Sequence, residues 1–409
     1  MFASRTDWSL TPNHLALVMA ERRASGLPVI DLTESNPTRC GFSVDAEDAL
    51  GALANPCSLT YEPDPHGLLG ARQAVAGYYA ERGTRLGPEQ IFLTTSTSEA
   101  YSYVFRLLAN PGDNILVPRP GYPLLDFLAR LNDLDLLSYP LIYDQGWQID
   151  MQALPIRVNT RTKAVLAVHP NNPTGSFVRS KDLEFLIGCC QKGPLAIIAD
   201  EVFADYAFAA PVPPAPAVLP RQVPRGTTSA DRVPSFAGVL QALTFTLSGL
   251  SKISAMPQMK LAWIAVSGPE DLLRPALARL EVIADTYLSV SAPLAHALPE
   301  LLESRHQVQP QILGRVRRNL HWLDERLSRG SAVTRLETDG GWYVILRLPA
   351  VRTDEEWAVE LLYQDGVLVH PGHFYDLPYE SHLVVSLLPS SEIFEQGILK
   401  VLGRASDEL

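Results

Sequence analysis

Residues 243–257 read LTFTLSGLSKISAMP. The first five residues are apolar or favour extended backbone, so they predict a strand. Small hydroxyl and glycine residues follow, and then a single lysine, Lys252. A lysine held at the end of a sheet and partly removed from water has a lowered amine pKa and can attack an aldehyde. Many lysines after strands are instead solvated surface charges, so this run alone leaves both interpretations open.

Two further motifs precede this lysine in the chain. Residues 169–175 read HPNNPTG, and residues 198–203 read IADEVF. In this order, the two motifs and Lys252 resemble the fold-type-I pyridoxal-phosphate enzymes, and specifically the class I/II aminotransferases. The resemblance extends from about Pro28 to the C-terminus. It implies pyridoxal 5′-phosphate as the cofactor and Lys252 as the catalytic Schiff-base lysine.

The resemblance also implies an α/β fold of two domains. The large, cofactor-binding domain would span residues 46–292 around a mixed, mostly parallel seven-stranded sheet. The small α+β domain would combine residues 1–45 with residues 293–409. Continuously apolar runs support the sheet, because strands buried on both faces have no polar alternation. Such runs occur at 91–94, 115–118, 164–168, 195–199, 243–247 and 261–266. Residues 209–234, rich in Pro and Ala, predict an irregular excursion.

Composition excludes several classes of partner. The chain has 409 residues and a formal net charge of −11, without a basic stripe to neutralise phosphates, so we expect no nucleic-acid partner. No run of about 18 apolar residues occurs, so we expect no membrane span. The four cysteines show neither metal-ligand spacing nor a disulfide framework, and no metal site is predicted. The expected compartment is the cytoplasm.

Asp200 ends the apolar run 195–199. Ligands of open α/β sheets collect at the carboxyl ends of strands. A carboxylate there can pair with the pyridine nitrogen of the cofactor and keep it protonated, which makes the ring an electron sink. The alternative is a capping role for Asp200 at a following helix.

A phosphate site is predicted where Ser96-Thr97-Ser98-Glu99 follows the strand 91–94. The Ser-x-x-Glu spacing is that of a capping box, and the free N–H groups of a helix start attract anions. Capping alone is the simpler interpretation. The resemblance adds the cofactor phosphate on Ser96, Thr97 and Ser98, with Ser248, Ser251 and Lys260 as further phosphate contacts.

Four other cofactor contacts rest on the resemblance alone. Asn172 corresponds to the amide that bonds the cofactor's phenolic oxygen. Phe203 stands where the family usually has a tyrosine for the same oxygen. Tyr122 corresponds to the aromatic residue stacked on the pyridine ring. Tyr61 matches the tyrosine that reaches the phosphate of the neighbouring subunit, which implies a homodimer with shared active sites.

The substrate anchor departs from the family. The arginine that usually binds the α-carboxylate of the substrate corresponds to Val384, and an apolar side chain cannot hold a carboxylate. Candidate replacements are Arg39 and Asn36 in the run ESNPTR, Arg347, and His373. Surface charge or loop packing is the alternative role for each of them.

The expected function is transfer of an amino group between an amino acid or amine and a 2-oxo acid. Another reaction of the same cofactor, such as β- or γ-elimination, cyclisation or decarboxylation, is the alternative, and Val384 keeps it open. A non-enzymatic effector-binding module of a transcription regulator is a third possibility. Such regulators carry a basic DNA-binding domain ahead of the resembled region, and a pattern that begins near Pro28 leaves no room for one.

Overall fold

The computed structural model describes residues 1–208, 231–288, 290–327 and 330–407. The strands are β1 (Ile30–Asp31), β2 (Ile91–Thr94), β3 (Asn114–Arg119), β4 (Asp135–Tyr143), β5 (Trp147–Ile149), β6 (Thr162–Val168), β7 (Ala196–Asp200), β8 (Thr244–Gly249), β9 (Ala262–Ser267), β10 (Thr334–Arg335), β11 (Tyr343–Arg347), β12 (Val367–Leu368), β13 (His370–Pro371) and β14 (His382–Ser386). The helices are α1 (His14–Ala24), α2 (Ala46–Ala52), α3 (Leu69–Glu81), α4 (Thr97–Leu108), α5 (Leu124–Leu131), α6 (Ala153–Arg157), α7 (Ser180–Gln191), α8 (Leu250–Ile253), α9 (Glu270–Tyr287), α10 (Ala292–Glu303), α11 (Arg305–Leu327), α12 (Asp354–Glu360) and α13 (Ser391–Asp407).

The large sheet has the order β2-β9-β8-β7-β6-β3-β4-β5. The pairings from β8 through β4 are parallel, whereas β9 is antiparallel to both of its neighbours. Two antiparallel steps bring β2 back into the direction of β8, so six of the eight strands point the same way. The predicted α/β fold with a mostly parallel sheet is confirmed.

The sheet contains one strand more than the seven expected. The extra strand is β5, a three-residue edge strand antiparallel to the far end of β4. Neither of these two strands was predicted from an apolar run. The reason is burial: β4 lies near the sheet edge and alternates between exposed and buried residues, so its sequence is mixed.

Helices cover both faces of the large sheet. Consecutive residues of β7 point to opposite faces: Ile198 packs in the same cluster as Leu280 of α9, and Ile197 packs with Leu186 of α7. Both faces of the large sheet are therefore covered by helices and shielded from water, which explains why the inner strands are continuously apolar.

A second sheet forms near the C-terminus. Its order is β10-β11-β14-β13, with antiparallel pairing throughout. The short strand β1 pairs in parallel with β12, so the N-terminal segment joins C-terminal residues. The grouping of residues 1–45 with 293–409 into one small domain stays a prediction.

The predicted irregular segment 209–234 lies mostly outside the described residues, which resume at Asp231. From there, Val233 donates its N–H to Val178 and accepts a hydrogen bond from the ring of His169. Across the described residues, no helix combines the length and apolar character needed to span a membrane.

Gly249 ends β8 three residues before Lys252, and replacing it tests the closeness of β8 to β9. A Cβ atom at Gly249 would lie 2.7 Å from the Cβ and 2.8 Å from the Cα of Ala262. Backbone cannot move aside cheaply, so we expect Gly249→Ala to lower the free energy of unfolding by about 1–3 kcal/mol in urea denaturation. Gly188→Ala in α7 is the control: a Cβ there meets nothing within 4 Å. It should be neutral or stabilising by up to about 1 kcal/mol. Equal effects of the two changes would contradict this packing.

Candidate active site

The predicted catalytic and cofactor residues gather at one edge of the large sheet. β2, β6, β7 and β8 run in the same direction, so their carboxyl ends meet there. The residues that follow them are the start of α4, the loop 169–175, Asp200 itself, and α8 with Lys252. This edge is where ligands of open α/β sheets bind.

Lys252 is half-buried, and its amine lies close to two aromatic rings. Its Nζ is 4.9 Å from the ring centre of Trp342 and 5.5 Å from that of Phe203. Burial lowers the pKa of the Lys252 amine to about 8, and the Asp200 carboxylate opposes this shift. A substantial fraction of the amine is therefore neutral near physiological pH, as a nucleophile or base requires. The buried hydroxyl of Tyr206 donates to the Lys252 carbonyl at 2.6 Å and holds the backbone of this short helix.

Asp200 is buried, and each of its carboxylate oxygens accepts one hydrogen bond from the protein. Oδ1 accepts from the Val202 N–H at 3.1 Å, and Oδ2 accepts from the Tyr101 hydroxyl at 2.8 Å. Burial raises the pKa of the carboxyl, while the two hydrogen bonds and Lys252 oppose that rise. The alternative role of Asp200, that of a helix cap, applies only in part, because its contact with the Val202 N–H closes a turn and not a helix. A carboxylate has about four lone-pair sites, so acceptor capacity remains for a ligand.

The start of α4 has the expected cap. Ser96 is its N-cap, and its Oγ accepts the Glu99 N–H at 3.1 Å. The reciprocal half of the predicted capping box is absent: the Glu99 carboxylate instead accepts from the N–H and hydroxyl of Thr95. Because its partner is Thr95 and not Ser96, the Glu99 carboxylate lies on the side of the helix start that is nearer to β2. The first-turn residues Thr97 and Ser98 are half-buried there.

The loop 169–175 is fixed from both sides. The Nδ1 atom of His169 accepts the Val178 N–H, and its Nε2 bonds the Val233 carbonyl at 2.8 Å, so this buried ring is neutral. Burial lowers the pKa of His169 to about 3. Asn171 donates to the carbonyl of Pro120 at 3.1 Å and so ties the loop to the turn that carries Tyr122.

Asn172 is buried, and its Oδ1 has no hydrogen-bond partner among the described residues. The two ends of a side-chain amide are interchangeable by a flip, so the group has unused capacity as donor or acceptor. An unpaired buried amide is costly, and a ligand atom at this place would remove that cost.

An aromatic wall faces this edge. The ring of Phe203 lies 5.2 Å from that of Trp342 and 6.4 Å from that of Tyr343. Burial raises the pKa of Tyr343 to about 12, whereas a hydrogen bond with Ser35 lowers it. The N-terminal segment around Ser35 therefore touches the wall. Burial also raises the pKa of Tyr122, and the Asp200 charge adds to that rise, so these two groups lie near one another.

The remaining predicted cofactor residues are more peripheral. Ser248 is buried, and its Oγ points to the Glu201 carbonyl at 3.5 Å. Ser251 is half-buried next to Lys252, whereas Lys260 is exposed and has a left-handed backbone with φ of 50°. Tyr61 is 76% exposed on a loop before α3.

The candidate substrate-binding residues differ in exposure and in the hydrogen bonds that they already make. Arg39 is exposed at the end of a single 3₁₀ turn, Pro37–Arg39, and Asn36 caps this turn through the Thr38 N–H and hydroxyl. Arg347 is exposed and its Nε bonds Thr334. The His373 ring bonds the buried Asp354 at 3.1 Å.

Val384 is fully buried. On β14 it lies opposite Ile345 on one side and His370 on the other, and it packs among apolar side chains. This apolar side chain offers no hydrogen-bond donor to a carboxylate, and the role of the position in substrate binding stays a prediction.

Three site residues were missed from the sequence: Tyr101, Trp342 and Tyr343. Tyr101 had a usable signal, because it lies five residues after the N-cap of a helix that starts at the predicted ligand edge. Trp342 and Tyr343 come from a distant part of the chain, at the start of β11, and nothing local indicates that they meet Lys252 or its aromatic neighbours.

The comparisons agree with this geometry. Residues 29–394 match the family model for aminotransferase class I and II. The chain is 25% identical over 390 residues to a glutamate-pyruvate aminotransferase of Haemophilus influenzae, with 93% of this chain and 92% of that protein covered. It is 26% identical over 385 residues to an alanine aminotransferase of Mycobacterium tuberculosis, with 91% and 84% covered. The solved alanine aminotransferase of Pyrococcus furiosus has the same fold, with a TM-score of 0.85 at 21% identity over the whole of both chains.

The chain therefore belongs to the aminotransferase class I and II family, which confirms the resemblance seen in the sequence. It is an enzyme that transfers an amino group between a donor and a 2-oxo acid. Members of the family use pyridoxal 5′-phosphate.

The amine of Lys252 provides a test of the site's electrostatics. In protein free of cofactor, the amine should titrate at about 8 rather than near its usual value of 10.5. The pH dependence of its acylation, read at the Lys252 peptide by mass spectrometry, measures this. Asp200→Asn should lower the midpoint further, because the Asp200 charge raises the pKa of this amine. Asp271→Asn, at an exposed position in the first turn of α9, should leave it unchanged. A midpoint near 10.5, or one insensitive to Asp200, would contradict this account.

Proposed function

We propose that this chain binds pyridoxal 5′-phosphate at the carboxyl edge of the large sheet, with Lys252 as the residue that holds it covalently. One observation carries the proposal: the parallel neighbours β7 and β8 bring the buried carboxylate of Asp200 and the half-buried Lys252, whose pKa burial lowers to about 8, to the same edge of the sheet. The Lys252 amine could bond the aldehyde carbon of pyridoxal phosphate, and the Asp200 carboxylate could pair with the pyridine nitrogen at the other end of the ring. When bound, the cofactor supplies an electron sink for charge developing at the α-carbon of the substrate.

The surrounding residues fit the cofactor's remaining groups. The side-chain oxygen of Asn172 has no partner among the described residues, and after a flip of the amide its nitrogen could donate to the phenolic oxygen. The helix start at Ser96, Thr97 and Ser98 suits the phosphate. Ser248, Ser251 and Lys260 are proposed as further phosphate contacts.

Each side chain then has a definite role. The Lys252 amine, when free, accepts and returns a proton at the α-carbon of the substrate. Asp200 would hold the pyridine N–H by a charge-assisted hydrogen bond. Tyr122 would supply a ring for stacking. Phe203 offers no hydroxyl, so Asn172 would be the partner of the phenolic oxygen, while the rings of Phe203 and Trp342 shield one side of the Lys252 amine.

The half-reaction tests the proposal. Protein reconstituted with pyridoxal phosphate and given an amino donor without an acceptor should release the 2-oxo acid and convert the cofactor to pyridoxamine phosphate. Both products are read by chromatography. Lys252→Ala should abolish the conversion because no base remains at the α-carbon, and Lys192→Ala, at an exposed position after α7, should retain it. Elimination or decarboxylation products in place of pyridoxamine phosphate, or an active Lys252→Ala variant, would overturn the proposal.

We further propose that the working unit is a homodimer in the cytoplasm. Tyr61 supports the dimer, because its exposed phenol borders a surface cavity of about 380 Å³ between residues 60–68 and the start of α10. In a shared site it would reach the phosphate bound by the second copy. The four cysteines are free thiols, as a reducing compartment favours.

We also propose that Arg39 anchors the substrate carboxylate in place of the missing arginine at position 384. Ser35, four residues earlier, bonds Tyr343 of the aromatic wall, so the turn that carries Arg39 lies close to the site. Asn36 shapes this turn, and His373, bonded to Asp354, is the weaker candidate. Arg39 lies in a single turn, whereas the usual arginine would stand on a strand, so Arg39 would hold a carboxylate less firmly. Simple donors such as alanine and aspartate should therefore react poorly compared with a larger amine.

Steady-state kinetics test the Arg39 assignment. Arg39→Ala should raise KM for the best donor about 10- to 100-fold while changing kcat little, because a charge-assisted hydrogen bond is lost in ground state and transition state alike. Arg347→Ala removes a similarly exposed guanidinium on β11 and should leave KM unchanged. Equal behaviour of the two variants, together with fast turnover of alanine or aspartate, would contradict the assignment.

A further inference from the structure

Tyr101 is a buried phenol that the proposed reaction does not use. It lies in the second turn of α4, its side chain is 3% exposed, and its hydroxyl is 2.8 Å from Asp200 Oδ2. Burial raises the pKa of this phenol well above its usual value, and the nearby Asp200 charge adds to the effect. The hydroxyl therefore keeps its proton, and Tyr101 is the donor in this pair.

The second donor to the carboxylate is part of the backbone. The Val202 N–H bonds Oδ1, while Tyr101 bonds Oδ2, so the two contacts together fix the plane of the carboxylate. Without them, burial alone would favour the neutral acid, which cannot pair with a protonated pyridine nitrogen. Tyr101 is the side chain through which α4 acts on the end of β7.

We propose that Tyr101 is a positioning residue that orients the Asp200 carboxylate toward the cofactor's pyridine nitrogen and holds it in its ionised form. The inference rests on the proposed cofactor site. It gives α4 two roles, since the first turn of this helix would bind the phosphate and the second turn supports the carboxylate that would pair with the ring nitrogen. The phenol would act through Asp200 and not by direct contact with cofactor or substrate.

A merely structural hydroxyl is the alternative, and Tyr139 supplies the matched control. Its phenol is equally buried and donates to the Leu166 carbonyl at 2.7 Å, without contact to Asp200. Tyr101→Phe and Tyr139→Phe each remove one buried donor. Similar losses of thermal stability in the two variants would show that their folding cost is matched.

The probe is pyridoxamine 5′-phosphate, which carries the same pyridine ring but forms no covalent bond with Lys252. Its dissociation constant, measured by calorimetry across pH, reports on Asp200 in protein free of other ligands. Tyr101→Phe should weaken binding about tenfold at neutral pH, the loss expected for one hydrogen bond to a charged group. Tyr139→Phe should bind like the unaltered protein.

The direction in which the affinity for pyridoxamine phosphate changes with pH can be predicted. Binding requires ionised Asp200, so affinity falls as pH drops through the pKa of that carboxyl. The Tyr101 hydrogen bond lowers this pKa, so its removal should move the fall to higher pH. Tyr101→His keeps a donor and should recover part of the affinity. If Tyr101→Phe does not fold, Tyr101→His is compared with the unaltered protein directly: a fall of affinity moved to higher pH supports the role, and a profile identical to that of the unaltered protein refutes it.

A double-mutant cycle separates the two proposals. If Tyr101 acts through Asp200, adding Tyr101→Phe to Asp200→Asn should cause little further loss. Full additivity, or a Tyr101→Phe profile identical to that of Tyr139→Phe, would overturn the role of Tyr101 while leaving the cofactor site intact. Failure of the unaltered protein to bind the probe, or an Asp200→Asn variant that binds normally, would overturn the proposed site and this inference with it.

Discussion

The electrostatic coupling of Lys252 with Asp200 at the carboxyl edge of the large sheet organises the candidate site. Burial favours the neutral form of both groups, and each charge favours the ionised form of the other. The amine is thereby poised at a pKa of about 8 while the carboxylate has two hydrogen-bond donors of its own. Neither residue alone would have both reactivity and a defined position.

Strand order creates this pairing. β7 and β8 are parallel neighbours, so Asp200 and the turn into Lys252 leave the sheet at the same edge. Gly249 makes the exit possible, because β9 approaches too closely for a side chain at that point. The helix α4 follows β2, which points the same way, so the anion site and Tyr101 reach this edge from one element. A change in one strand direction would separate these groups.

Much of this could be predicted from the sequence, and the failures have physical causes. The inner strands were recognisable because burial on both faces leaves a continuous apolar run, as in β6 and β7. The half-exposed β4 lacks that run and was missed. Motif residues such as Asn172 and Asp200 stand beside their strands and could be found locally. Tyr101 could be placed near the predicted helix start, but its contact with Asp200 and the place of Trp342 beside Lys252 join distant segments and have no local signal.

If Lys252 holds the cofactor as proposed, borohydride reduction of the reconstituted protein should fix the cofactor on this residue and on no other lysine. Proteolysis and mass spectrometry should then find one pyridoxyl-labelled peptide, with the label on Lys252. In the Asp200→Asn variant, that label should be lost at limiting cofactor concentration. A label on Lys260 or on another exposed lysine, with Lys252 unmodified, would contradict the proposal.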